Sequence, residues 1–211
     1  MPSSAGCWLK YITKLPQNVI SAAAFYEVDE MEYVNLRLAT ESDVPEIMAV
    51  MTAAHEAMAD PSAYITDEEE YVADHVNNPG FILLSEIAHK VAGFFLVSVP
   101  ELGESNLGYY LNFSKDQLLH TALMDSVAVR PEYQGMGLMG QMLRAAVART
   151  QDRYAWLLAT VAPDNIPSLR NFEKCGFQTL KLIVKPQGQQ RLLMGKSKEM
   201  ASIARKPGAC L

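Results

Sequence analysis

Residues 124–150, MDSVAVRPEYQGMGLMGQMLRAAVART, decide how the rest of the chain is read. Val127 and Val129 are β-branched and suit a strand. Pro131 ends it, because proline brings no N–H to a ladder. Gln134, Gly135, Met136 and Gly137 turn the chain, and from Leu138 the apolar positions Leu138, Met142, Leu143, Ala146 and Val147 recur at helical spacing. The stretch therefore predicts a strand, a tight Gly-rich loop and a helix. A loop that opens into a helix leaves N–H groups without intrahelical partners, all aimed at one place. Together with the helix dipole they make an anion site suited to phosphate. Gly135 and Gly137 let the backbone approach such a ligand and permit positive φ.

Residues 135–140 spell G-x-G-x-x-G, the dinucleotide fingerprint, but the surroundings argue against it. The fingerprint needs its first glycine at the strand end, and here Arg130-Pro131-Glu132-Tyr133-Gln134 intervenes. It also wants an acidic residue about twenty positions on, and residues 156–162 contain none.

Upstream of this stretch, residues 34–38 alternate like a strand. Thr40 and Ser42 can cap a helix with the apolar face Val44, Ile47, Met48 and Met51, running towards Met58. Asp60-Pro61 ends it. Thr66-Asp67-Glu68-Glu69 reads as a capping box, followed by a short helix through Tyr71, Val72 and Val76. Residues 81–87 and 91–99 are apolar strands joined by Ala88-His89-Lys90, hence a hairpin with His89 in its turn. Residues 100–118 form a long connection rich in Gly and aromatics. Downstream, 154–161 reads as a buried strand. Residues 166–175 form a short helix with Pro167 near its start and Gly176 at its end. Residues 177–184 and 190–194 make a terminal hairpin.

The 211 residues favour one domain. Residues 1–30 lack clean periodicity and read as an N-terminal extension, 31–196 as the domain, and 197–211 as a loose polar tail. The net charge of −6 argues against nucleic acid as partner. No apolar run approaches membrane-spanning length. Residues 10–24 hint at a secretory signal, but Pro16-Gln17-Asn18 break the apolar core it would need. Cys7, Cys175 and Cys210 are widely spaced without C-x-x-C, and His55, His75, His89 and His120 show no ligand spacing. The expectation is a cytoplasmic, metal-free protein. The element order β-α-α-β-β-β-α-β-α-β-β predicts an α/β protein with a mixed sheet and helices on both faces.

Two segments carry a family resemblance. V-x-V-x-P-x-Y-Q-G-x-G, residues 127–137, resembles the acyl-CoA segment of the GNAT superfamily of N-acyltransferases, with its Gln/Arg-x-x-Gly-x-Gly/Ala core on Gln134, Gly137 and Met139. Met139 departs from the small residue usual there. Asn165-x-x-Ser168 and Phe172-Glu173-Lys174-Cys175-Gly176-Phe177 resemble the superfamily's N-x-x-S/A…Y-E-K-x-G-F segment. The resemblance spans about 34–195. It implies a mostly antiparallel sheet of about seven strands and transfer of an acetyl group from acetyl-CoA to an amine by direct attack. A CoA-binding sensor of the same fold, without turnover, is the alternative. It leaves a homodimer open.

The resemblance also implies site residues. Main chain at Val127, Ala128 and Val129 would bind the pantetheine and present an oxyanion donor. The segment Gln134, Gly135, Met136, Gly137, Leu138 and Met139 would hold the pyrophosphate, and Asn165 would reach the pantetheine from the opposite wall. Asn165 reads equally as a turn residue. Phe172 stands where many members have a tyrosine that protonates the leaving thiolate; it cannot donate a proton and is left a packing role against the pantetheine. The amine arrives protonated and needs a base. Asp125 and His120 are the candidates, Asp125 as base or as anchor for the cation. Strict strand alternation would put Asp125 on the face of Leu123 and Val127, roughly 7 Å upstream of the thioester.

Overall fold

The computed structural model describes residues 34–58, 66–77, 79–186 and 188–198. All lie in one compact unit, Tyr33–Leu211. The readings made for residues 1–30 with Cys7, for Asp60-Pro61, and for the tail beyond Lys198 with Cys210 fall outside the described residues.

Seven strands form one sheet in the order β1-β2-β3-β4-β5-β7-β6. They are β1 (Asn35–Leu38), β2 (Phe81–Ile87), β3 (Lys90–Ser98), β4 (Thr121–Val129), β5 (Trp156–Val161), β6 (Gln178–Val184) and β7 (Gln190–Ser197). Every neighbouring pair is antiparallel except β4 and β5. The expected hairpin is present: Ala88 and His89 both take positive φ, as a two-residue turn of matching twist requires.

Helices cover both faces. On one, α4 (Leu138–Thr150) and α5 (Ile166–Lys174) bury Leu138, Met142, Leu143, Ala146 and Phe172 against Phe95, Val97, Met124 and Met194. On the other, α1 (Val44–Glu56) and α2 (Glu69–Asn77) bury Ile47, Met51, Val72 and Val76 against Ile82, Phe94 and Leu96. The long connection after β3 is more ordered than its sequence suggests. It holds a 3-10 turn at Leu107–Leu111 and a short helix, α3 (Lys115–Leu119), and its Leu107 joins Leu123, Leu158 and Leu193 in a third apolar cluster. At the sheet edge, Arg37 forks between Asp43 at 2.7 Å and Glu86 at 2.8 Å, fixing β1 to the turn before α1.

β4 carries two irregularities. The first is a β-bulge: Leu96 pairs with Ser126 and Val97 with Met124, so Asp125 has no partner in the ladder. The extra residue reverses the alternation. Met124 and Val127, three apart, both pack toward α4, while Ala128 joins the cluster under α1. This corrects the expectation from strict alternation. Asp125 shares the α2 side with its neighbour Ser126, and Val127 is on the opposite face. The second irregularity is that β4 pairs with β5 only through Thr121, Ala122 and Leu123. Beyond Leu123 the two strands part, although β4 stays bonded to β3 and β5 to β7 through Val161.

Candidate functional site

The parting of β4 and β5 opens a cleft with a strand edge on each wall. Among the described residues, 124–129 on one side and 159–161 on the other have no strand partner across the gap. Unpaired N–H and C=O groups must find partners. An extended molecule with amide groups of its own, lying between the walls, would complete the sheet there.

The mouth of this cleft is the Gly-rich loop. Arg130 anchors its start, donating to Val91 O at 3.0 Å and pairing with Glu46 at 2.6 Å. Pro131–Tyr133 make one 3-10 turn, and Gln134 is exposed with its amide 3.5 Å from Val129 O. Gly135 and Gly137 have φ of 83° and 76°, and a Cβ on either would meet no atom within 4 Å. Steric crowding is therefore not what calls for glycine; the left-handed backbone is. Gly137 is the N-cap of α4, so no side chain caps that helix. Its first-turn N–H groups, including those of Leu138 and Met139, open onto the space beside the two glycines. The Leu138 side chain is core, 1 % exposed, and Met136 is 44 % exposed. Met139 is half-buried between helices, its Sδ accepting from Ser168 Oγ at 3.4 Å and Asn171 Nδ2 at 3.5 Å. An uncapped helix N-terminus with open space before it fits a pyrophosphate.

On the far wall, Asn165 is the N-cap of α5 and its Oδ1 accepts from Ser168 N at 3.1 Å, the turn role that its sequence context also allows. Phe172 is 3 % exposed and packs edge-on against Phe177 at 5.1 Å between centroids. Its ring belongs to the core under α5, where Tyr would have to bury a hydroxyl. Burial pushes the Cys175 thiol up, away from nucleophilic reactivity.

The α2 face of the bulge holds the polar groups. Asp67, Tyr71 and His75 follow one another at helical spacing. Tyr71 Oη donates to Asp125 Oδ2 at 2.5 Å. Burial, then the Asp125 charge, hold the Tyr71 phenol well above its ordinary value, while Ser98 hydrogen-bonds its oxygen. Asp67 stands one turn earlier. Its N–H reaches Met51 Sδ at 3.1 Å, and Ser126 hydrogen-bonds its carboxylate. Its Oδ2 is buried and, among the described residues, has no hydrogen-bond partner. Burial pushes its carboxyl up, and the nearby Asp125 charge acts in the same direction. Lys185, half-buried just past β6, completes the surround; burial pulls its ammonium down and Asp125 opposes this.

Asp125 is exposed and stands at the point where the cleft opens. His120 is not brought to it. The histidine caps α3 at the closed end, where β4 and β5 still pair, and its Nδ1 sits 2.8 Å from Asp116 O and 3.5 Å from the Asp116 carboxylate. Thr121 is fully buried and donates to Gln117 O at 2.7 Å. Sequence reading placed Tyr71 and Ser126 in no functional role and gave Asp67 only a place in a capping box. The signal that could have found Asp67 and Tyr71 is the spacing of four from Asp67, just before α2, to Tyr71 and His75 on it; nothing local marks Ser126.

Comparison with known proteins agrees with this architecture. The sequence matches the acetyltransferase (GNAT) family over residues 44–177. No curated protein sequence matches it. Among solved structures, ribosomal-protein-alanine N-acetyltransferase from Brucella melitensis is 18 % identical with a TM-score of 0.61, covering 77 % of this chain and 99 % of that one. A Salmonella typhimurium protein solved with its cofactor acetyl-CoA is 19 % identical with a TM-score of 0.60, covering 84 % and 99 %. The ribosomal-protein-S18-alanine N-acetyltransferase from Escherichia coli is 16 % identical with a TM-score of 0.57, covering 78 % and 94 %. At such identities the likeness is one of fold. The family match spans more than half of the chain, and on that ground this protein belongs to the GNAT acetyltransferase family and is an acyl-CoA-dependent N-acetyltransferase with acetyl-CoA as cosubstrate.

Proposed function

We propose that the cleft between β4 and β5 holds the pantetheine arm and that the acceptor is a cationic amine entering from the α2 side to meet Asp125. Three pieces assemble the reading. Main-chain groups of Val127, Ala128 and Val129 offer the strand edge to the pantetheine amides and the N–H donor to the developing oxyanion. The backbone of residues 134–139 offers N–H groups to the pyrophosphate. Asp125, exposed at the opening, offers a carboxylate to an ammonium.

The observation that carries this is the position of the bulge. It puts a carboxylate at the point where the sheet opens and turns it toward α2, away from the α4 side. An amine held there would lie next to a thioester carbonyl placed along residues 127–129, close enough for direct attack. No covalent enzyme intermediate is needed. Widely spaced cysteines and an acetyl-CoA substrate support a cytoplasmic location.

A panel of primary amines, assayed by release of CoA thiol from acetyl-CoA, tests the reading. Cationic amines without a nearby carboxylate are expected to be the best acceptors. Asp125→Asn is expected to leave acetyl-CoA binding nearly unchanged and to lower kcat/KM for the best amine by about a hundredfold. Equal turnover of anionic and cationic acceptors, or an unaffected Asn variant, would sink it.

A further inference from the structure

We propose that the proton of the acceptor ammonium leaves through the Ser126 hydroxyl to the half-buried carboxylate of Asp67, which divides the work with Asp125: one carboxylate holds the cation, the other takes its proton. The inference rests on the acceptor position argued above and adds the route of the proton.

The geometry has three parts. First, the bulge places consecutive residues Asp125 and Ser126 on one side of β4, which a regular strand does not do. An ammonium at the exposed Asp125 is therefore adjacent to the Ser126 oxygen. Second, Ser126 hydrogen-bonds Asp67, so a proton accepted by its oxygen can be matched by one passed on. Third, Asp67 keeps Oδ2 buried and, among the described residues, without a hydrogen-bond partner. A buried carboxylate oxygen in that state is costly to a fold, and such groups ask for an explanation beyond packing. Here the fold holds a carboxylate short of hydrogen bonds, and such a carboxylate gains from accepting a proton. Asp125 differs in being exposed and in accepting the Tyr71 phenol. Two carboxylates in unlike surroundings are the usual mark of divided roles.

The groups facing Asp67 agree with this. Burial raises its affinity for a proton, Asp125 on β4 raises it further, and His75 on α2 and the Ser126 hydrogen bond oppose. Tyr71, from α2, keeps its own proton directed at Asp125. From α1 the contact is the Met51 thioether, which does not titrate. Lys185 lies toward Asp125.

The step balances. Ser126 accepts one ammonium proton as its own passes to Asp67. The freed nitrogen lone pair forms the C–N bond, and the C–S bond breaks. The nitrogen's second proton goes to the CoA sulfur, and Asp67 returns its proton to solvent. Asp67 acts only through Ser126, so its effect must show in the pH dependence.

The test follows kcat and KM for the best amine from about pH 5 to 10 in the wild type, Asp67→Asn, Ser126→Ala and Asp125→Asn. In the wild type, kcat should rise from acid and level off once Asp67 is ionised, at a pH above the ordinary carboxylate range. In Asp67→Asn, kcat should fall about a hundredfold near neutrality and climb about tenfold per pH unit toward the amine's own pKa near 10, because only free amine then reacts. Ser126→Ala should show the same climb. Acetyl-CoA KM should stay within about twofold in both. Asp125→Asn should raise the amine KM yet keep the plateau. If Asp67→Asn and Ser126→Ala retain the plateau and near-normal kcat, the proton route is wrong while the acceptor site stands. If Asp125→Asn leaves amine KM unchanged, the acceptor site itself is wrong, and this inference with it. Should Asp67→Asn not fold, Ser126→Ala decides alone.

Discussion

Tyr71 on α2 donates its phenolic proton to the Asp125 carboxylate, at 2.5 Å, from a residue 54 positions earlier in the chain. The bond ties a short helix to the one residue of β4 that the ladder leaves out. Tyr71→Phe keeps the ring and its 4.2 Å stack with His75 while removing the donor. It is expected to destabilise the fold by about 0.5–1.5 kcal/mol, the usual net worth of one hydrogen bond. It should also raise the amine KM severalfold, because Asp125 is then free to swing away from the opening. Chemical denaturation and steady-state kinetics on the variant check both parts. An unchanged KM would mean that the bond only braces α2.

Acetyl-CoA should raise the melting temperature in proportion to the logarithm of its excess over Kd. Gly137→Asp should abolish the shift, since it sets a negative charge at the N-terminus of α4 and a side chain at a φ of 76°. Gly137→Ala should keep part of the shift and cost about 1–2 kcal/mol of stability, because the backbone is left-handed there. A full ligand shift in the Asp variant would move the pyrophosphate elsewhere.

Hydrogen exchange offers a spatial check. Saturating acetyl-CoA is expected to protect amides within residues 124–129 and 159–161 that face the gap, and the first turn of α4. The β6–β7 ladder, already paired on both sides of its one irregularity between Thr179 and Lys181, should change little. Protection confined to the loop at 134–139 would argue against a strand-like pantetheine.

Acid stability should track Asp43. The Arg37 guanidinium, donating two hydrogen bonds at 2.7 and 2.8 Å, holds the Asp43 carboxyl well below its ordinary value. A carboxyl depressed in the native state stabilises it above the unfolded value and loses that stabilisation as pH falls through the folded one. Arg37→Ala should cost roughly 1–2 kcal/mol near neutrality and flatten the stability–pH curve below about pH 4. Asp67 has the opposite sign: its carboxyl is raised, so it opposes folding near neutrality, and Asp67→Asn should hold or raise the melting temperature there.

Phe172→Tyr tests whether the departure at this position is catalytic or structural. The ring is 3 % exposed and packs against Phe177, so a hydroxyl there has to be taken out of water. Destabilisation by about 1–3 kcal/mol with no gain in kcat is expected. A marked rise in kcat would restore the position as a proton donor.

The strand–loop–helix at the heart of the chain was legible because its signals are local. β-branched residues, a proline and glycines needed at positive φ sit within one window. The sheet with helices on both faces followed from periodicity in the same way. The bulge was not legible, since one extra residue carries no local signal of its own and shows only when β3 is laid beside β4. α3 was missed because five residues are too few for a period, although Ser114 and Gln117 form its capping box. Asp67 was read as part of a helix start, which its sequence neighbours support; its place beside Ser126 depends on a contact across 59 positions of chain. Asp125 was singled out as a candidate from its strand, but the direction it faces depends on the bulge.

The cleft has a consequence outside catalysis. Two strand edges, at 124–129 and 159–161, stand open in the middle of the sheet. An unpaired edge is a template for any other extended chain, and proteins normally protect such edges. With the pantetheine placed as proposed, a bound ligand would shield these interior edges. Aggregation of the purified protein on warming or storage should therefore depend on cofactor occupancy more steeply than its unfolding does, and a cell depleted of CoA would expose this chain to mispairing with its own nascent copies.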